Sequence, residues 1–166
     1  MSNEVLMNSI KDRWGAMIED VCHSSSVPPA FLAALIAGES GGKPDAIRYE
    51  PRVFDHLRAA HPEWTGERVT NNATSWGLTQ IMGINYPHDP IELADPKTNL
   101  MFAITMLAEF AQRYELSLTC DFEEMLRCWN TGEPHDNPAT KRIEGKTYDP
   151  NYISNALERI RVYKSL

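Results

Sequence analysis

The stretch PPAFLAALIAGESGG, Pro28 to Gly42, constrains the fold more than any other part of the chain. Pro28 and Pro29 suit a first helical turn, where a missing N–H costs nothing, and a serine before them can cap it. Gly41 and Gly42 are good helix stoppers. The predicted helix therefore runs from about Pro28 to Glu39. Counting back from Glu39 in helical steps, Ile36, Leu35 and Leu32 share one face. Ala33, Ala34 and Ala37 make the other face apolar too. A helix apolar all round belongs in an interior, which leaves the terminal carboxylate of Glu39 to be explained.

Two readings of Glu39 stand side by side. One is a solvated glutamate at a helix end. The other is an acid at an apolar wall, at a helix C-terminus where the macrodipole disfavours negative charge. Desolvation and dipole then act in the same direction, favour the protonated acid and raise its pKa. An acid kept protonated near neutral pH is what a leaving alkoxide needs in glycoside cleavage.

Around this helix the pattern is helical. Leu6, Ile10, Met17, Ile18 and Val21 give near-helical spacing over residues 4–22, broken by Ser24-Ser25-Ser26. Pro51 to Ala60 predicts a short helix ended before Pro62, and Gly66 to Ser75 is polar and loop-like. A short helix is expected at Trp76 to Met82, then a loop marked by Pro87 and Pro90. The longest pattern is Asp95 to Glu115, with Asp95 as cap and Pro96 as first residue. Leu100, Ala103, Ile104, Leu107, Phe110 and Ala111 form its apolar face. A further helix covers Phe122 to Trp129. A polar loop with Gly132, Pro134, Asn137 and Pro138 separates it from a last helix at about Pro150 to Lys164. Strand signals are poor and no internal repeat is visible. The expected class is mainly α, about seven helices in one domain over residues 1–166, with 1–26 as an N-terminal helix and 27–166 bearing the motifs.

Composition excludes several functions. The chain has 166 residues, enough for one domain with a core, and a net charge of −7 with no basic run. That argues against a nucleic-acid surface and gives no help toward anionic polymers. No apolar run approaches the roughly 20 residues of a membrane span, and the N-terminus does not read as a signal peptide. Three cysteines, Cys22, Cys120 and Cys128, suit free thiols rather than a disulfide framework. The five histidines are scattered without metal-ligand spacing, so neither metal nor cofactor is expected.

An ordered series of motifs follows the glutamate: ESGG at 39–42, ATSWGLTQIMG at 73–83, LADPKTNL at 93–100, RCWNTG at 127–132 and NYISNALERI at 151–160. From Phe31 to Leu166 this set resembles the lytic transglycosylases of the lysozyme-like superfamily. They carry a catalytic ES, a GLMQ motif, a long helix opened by DP-x-x-N, a YNAG-like motif and a late tyrosine. A second, local likeness is to phage endolysin muramidase domains, through AIRYEPRVF at 46–54 and SWGLTQIMG at 75–83. Both imply a lysozyme-like fold with a substrate cleft and peptidoglycan glycan strands as partner.

Carried over by position, the resemblance makes Glu39 the catalytic acid/base and Ser40 the serine that positions substrate or polarises it. Gln80 and Met82 belong to the GLMQ-type segment, Asn130 matches the asparagine of the YNAG motif, and Tyr152 the late tyrosine. Thr79 stands where methionine is usual, which can alter a subsite. Trp129 stands where tyrosine is usual, which keeps an aromatic surface but removes a hydroxyl. Against these roles, Met82 and Trp129 can serve the core, Asn130 a helix C-cap, Tyr152 packing, and Glu50 an ion pair with Arg48 or Arg52. Trp76 and Tyr86 can stack on sugars or be buried.

The transglycosylase resemblance implies a reaction with one carboxylate, closing a 1,6-anhydro ring on N-acetylmuramic acid. A hydrolytic muramidase would direct a water with a second carboxylate, for which Glu50, Asp45 and Asp55 are the candidates. A non-catalytic peptidoglycan-binding module is the reading from another class. Oligomeric state is not legible.

Overall fold

The computed structural model describes residues 2–135 and 151–166, so Asn137, Pro138 and Pro150 lie outside it. The described residues are mainly helical, with seven α-helices. They divide into two compact units, Met1–Gly38 with Ile104–Leu166, and Glu39–Ala103.

In the first unit, α1 (Asn3–Cys22) starts where the Ser2 hydroxyl accepts the Val5 N–H at 3.3 Å. Met7, Ile10, Ile18 and Cys22 form its buried stripe, and it packs on α7 (Tyr152–Ser165), which buries Ala156, Ile160 and Tyr163. The expected central helix is α2 (Pro29–Glu39), and every residue from Ala30 to Ala37 is buried. Its four large apolar side chains each contribute about 2 kcal/mol of transfer free energy. Phe31 meets Phe122 with ring centroids 5.6 Å apart. Phe122 opens α6 (Phe122–Thr131), closed by Gly132 at φ +85, whose N–H donates to the Cys128 carbonyl at 2.7 Å. The long helix α5 (Pro96–Tyr114) starts in the second unit and ends in the first.

Cys22 and Cys128 are buried in this unit, whereas Cys120 is exposed. Burial pushes both buried thiols up to about 11, aided at Cys22 by the Glu19 carboxylate. At pH 8 they stay protonated and poorly nucleophilic. A disulfide-exchange reagent at that pH is expected to titrate Cys120 rapidly in the native protein, and all three thiols only after denaturation.

The second unit holds a three-stranded antiparallel sheet in the order β1 (Ile47–Tyr49), β2 (Thr74–Trp76), β3 (Ile81–Met82). Ile47 pairs with Trp76, and Trp76 with Ile81. The helix expected at Trp76 to Met82 is thus a hairpin. Gly77 (φ +72) and Gln80 (φ +52) both take the left-handed region, which no right-handed helix admits. The loop expected at Gly66 to Ser75 is also corrected: α4 (Gly66–Asn72) forms there. Its intrinsic propensity is low, but Thr65 caps it by accepting the Arg68 N–H at 3.2 Å. Val69 then anchors it in a small core with Leu57 and Ala73, covered by Val53, Phe54 and Trp64. Leu57 comes from α3 (Pro51–Ala60), the short helix expected there. Two 3₁₀ turns, Gly83–Asn85 and Pro90–Ala94, replace the loop between the hairpin and α5. The Asp95 carboxylate accepts the Thr98 N–H at 2.8 Å, capping α5 as expected; that hydrogen bond holds the carboxyl below its usual range.

Candidate active site

Glu39 is the last residue of α2 and is half-buried. The chain turns away from it through Gly41 (φ +62) and Gly42 (φ +82), a backbone that side chains larger than hydrogen adopt only with strain. Ser40 makes the link that defines the site in the second unit. Its hydroxyl donates to the Leu78 carbonyl at 2.7 Å and accepts the Gly42 N–H at 3.2 Å. One side chain thus closes the glycine turn and ties it to the GLTQ turn of residues 77–80.

That turn is held from several directions. The Gly77 N–H donates to the Ala46 carbonyl at 2.8 Å. The Gln80 amide nitrogen donates to the carbonyls of Ala46 (2.9 Å) and Gly77 (3.0 Å). Both partners are acceptors, so the orientation of the amide is fixed and its donors are committed. What Gln80 offers a ligand is its carbonyl oxygen, an acceptor for a hydroxyl or an acetamido N–H. Met82 is half-buried on β3, its sulfur 4.0 Å from the Ser75 hydroxyl.

Asn99, buried on the first turns of α5, binds the turn from its other side. Its Oδ1 accepts the Thr79 N–H (3.0 Å) and hydroxyl (2.7 Å). Its Nδ2 donates to the carbonyls of Trp76 (2.9 Å) and Leu93 (3.1 Å). Thr79 is completely buried, so the residue standing in for methionine is an interior hydrogen-bond partner. Gly77 is needed for the same contact: a Cβ there would sit 2.6 Å from both Asn99 Nδ2 and the Leu93 carbonyl. Sequence reading placed Asn99 only as the asparagine of the DP-x-x-N element and gave its side chain no chemical role, although a further signal was present. It is a polar residue beside Leu100 on the stripe that continues through Ala103 and Leu107, and buried polar residues carry hydrogen-bond work.

Glu50 is half-buried at the end of β1 and receives the Arg48 Nε–H at 2.7 Å, one of the ion pairs anticipated for it. Asp45 and Asp55 are exposed. Trp76 is half-buried and its Nε1–H donates to the Asn71 carbonyl at 3.0 Å. Tyr86 donates its hydroxyl to Glu92 at 2.9 Å.

The remaining candidates belong to the first unit. Trp129 and Asn130 are half-buried in the last turn of α6, and Gly132, not Asn130, is the cap. Tyr152 opens α7, its ring beside the last turn of α2: a Cβ built on Gly38 would lie 3.8 Å from Tyr152 Cε2. It would also lie 3.4 Å from Arg159 Nη1, and Arg159 Nε donates to Asn3 at 3.1 Å.

A buried helix ending at Glu39, followed by a serine hydrogen-bonded to a glycine-led turn within a mainly helical chain, is consistent with a lysozyme-like fold. More specifically, the model of the transglycosylase SLT domain matches residues 17–151, and the chain belongs to that family. No curated protein and no solved structure matches the chain. The family assigns a peptidoglycan-cleaving function of the lytic transglycosylase type, acting on the cell wall. Among the described residues, no helix is long and apolar enough to cross a membrane.

Proposed function

We propose that the chain, as one catalytic domain, cleaves the β-1,4 bond between N-acetylmuramic acid and N-acetylglucosamine and forms a 1,6-anhydro product. The observation that carries the reading is the Ser40 hydroxyl bound to the Leu78 carbonyl. It joins the Glu-Ser pair to the GLTQ turn, two of the motifs that carry the resemblance to the lytic transglycosylases.

Glu39 gives its proton to the glycosidic oxygen as the bond from that oxygen to C1 of the muramic acid breaks. The C6 hydroxyl of the same sugar then attacks C1, and its proton passes to the Glu39 carboxylate. The acid is regenerated and no water is consumed. A tethered nucleophile needs no activation by a second carboxylate, because its effective concentration is already high. Ser40 positions the turn beside the acid, Gln80 accepts a hydrogen bond from the sugar, and Met82 supplies adaptable apolar contact. Trp129, Asn130 and Tyr152 are the further substrate-binding residues.

The second reading is a hydrolytic muramidase, favoured by the half-buried Glu50 at the end of a strand paired with β2. Mass spectrometry of soluble muropeptides separates the two. Digestion of purified peptidoglycan is expected to release chains ending in 1,6-anhydro-muramic acid. Reducing ends, each heavier by one water, would refute the anhydro product and make Glu50 the next residue to replace. No release from several wall types would favour a non-catalytic binding module.

A further inference from the structure

The second unit contains a cavity of about 680 Å³ whose walls come from residues 64–72 and 84–91. None of Glu39, Ser40, Glu50, Gln80 or Met82 lines it, although Tyr86, one of the two aromatics weighed as a sugar platform, does, so the reaction steps described above do not account for it.

Some of its polar groups are already engaged, the Asp89 carboxylate accepting the Ile91 N–H through Oδ1 at 3.1 Å and the Tyr86 hydroxyl donating to Glu92, but the side chains of Asn71 and Arg68 keep hydrogen-bonding capacity. Asn71 is half-buried, and although its backbone carbonyl holds Trp76, its side-chain amide has no partner among the described residues. The Arg68 guanidinium lies 4.1 Å from the Trp64 ring centroid and has no carboxylate partner among the described residues. His61 stacks on the same indole at 4.0 Å and 7°. Two groups that close to one centroid cannot share a face, so both faces of Trp64 are covered and it offers a sugar ring no platform. Carboxylates stand in the same wall, Glu67 and Asp89. Ile84 and Ile91 add an exposed apolar rim.

A cation, two carboxylates, a bare amide and two branched aliphatic side chains match a ligand with both charges, an amide backbone and small apolar groups. We propose that this cavity binds a short peptide bearing a free carboxylate and a free ammonium group, such as the stem peptides attached to peptidoglycan strands. Arg68 takes the carboxylate, as a planar fork suited to it. Glu67 and Asp89 take the ammonium group. Asn71 pairs with a peptide unit through its own donor and acceptor, and Ile84 and Ile91 contact methyl groups. The choice of peptidoglycan as the source rests on the function proposed above; the fit to a zwitterionic peptide does not.

The test is a titration of the ¹⁵N-labelled full chain with free stem tripeptide (L-alanine, D-glutamate, diaminopimelate), with no glycan present. Saturable amide shifts are expected over residues 64–72 and 84–91, unmatched by N-acetylglucosamine tetramer at the same concentration. Arg68→Met is expected to weaken binding about tenfold or more and Asn71→Leu about threefold. Thermal melts verify that both variants fold. Peptide shifts absent up to about 10 mM, a very weak limit, shifts confined to other residues, or affinity unchanged in Arg68→Met would each overturn the proposal. The titration involves no turnover, so it is decided separately from wall cleavage. A protein that binds the peptide here but releases no muropeptides would refute the enzymatic reading and keep this one.

Discussion

Glu39→Gln is expected to lower the release of soluble muropeptides by about a thousandfold or more, with the fold intact. General acid–base catalysis by one side chain is worth about 10²–10⁴ in rate. Here the same group must protonate the leaving oxygen and then take up the C6 hydroxyl proton, so both steps suffer. A thousandfold loss corresponds to about 4 kcal/mol of transition-state stabilisation. Glutamine keeps the volume and a hydrogen-bonding head, so α2 and its buried residues Ala30 to Ala37 are undisturbed. Glycan binding is therefore expected to persist at near wild-type affinity, measured by pull-down on insoluble peptidoglycan. Loss of lysis together with loss of binding would point to a folding defect. Lysis kept in the variant would remove Glu39 from the chemistry.

That carboxylate was legible because its context is local. Eight consecutive buried positions announce a buried helix without tertiary information, and the two glycines at positive φ announce its end. The other long helices were legible for the same reason: an amphipathic or wholly apolar repeat with a cap or a proline at its start. Local pattern failed where tertiary contacts override it. The four residues Gly77 to Gln80 carry no strand signature, and the two that take positive φ do so in a turn held by Ser40, Ala46 and Asn99, distant in sequence. Likewise α4 is short, rich in asparagine and threonine, and held by Val69 in a core whose other members lie on either side in the chain. The candidate site was legible as a list of residues through its ordered motifs. Which atoms are committed was not. Gln80 has its donors spent, Glu50 is paired with Arg48, and Thr79 faces inward.

Asn99 is where these threads meet, and its replacement is expected to be the most damaging to stability. Asn99→Leu removes the partner of two carbonyls, one backbone N–H and one hydroxyl, all close to a fully buried side chain. Each buried group left unpaired costs about 1–3 kcal/mol, so a loss of about 4 kcal/mol is expected even with some rearrangement, seen as a lower denaturant midpoint. Asn99→Asp keeps the shape and the acceptor toward Thr79, but turns a carboxylate on the carbonyls of Trp76 and Leu93. The folded protein then favours the protonated acid, whose O–H can donate to one of them, so its folded pKa rises above the unfolded value of about 3.9. Because the folded state then holds its proton more tightly, stability is greatest below that pH and falls as pH rises toward the folded pKa. Asn99→Leu shows no such added dependence. Chemical unfolding of both variants between pH 4 and 8 distinguishes a hydrogen-bond clamp from simple volume filling: equal losses with one common pH profile would refute the clamp. If the clamp holds, Asn99 fixes the turn that Ser40 joins to the Glu39 segment, and its hydrogen bonds rather than its volume set the conformation of that turn.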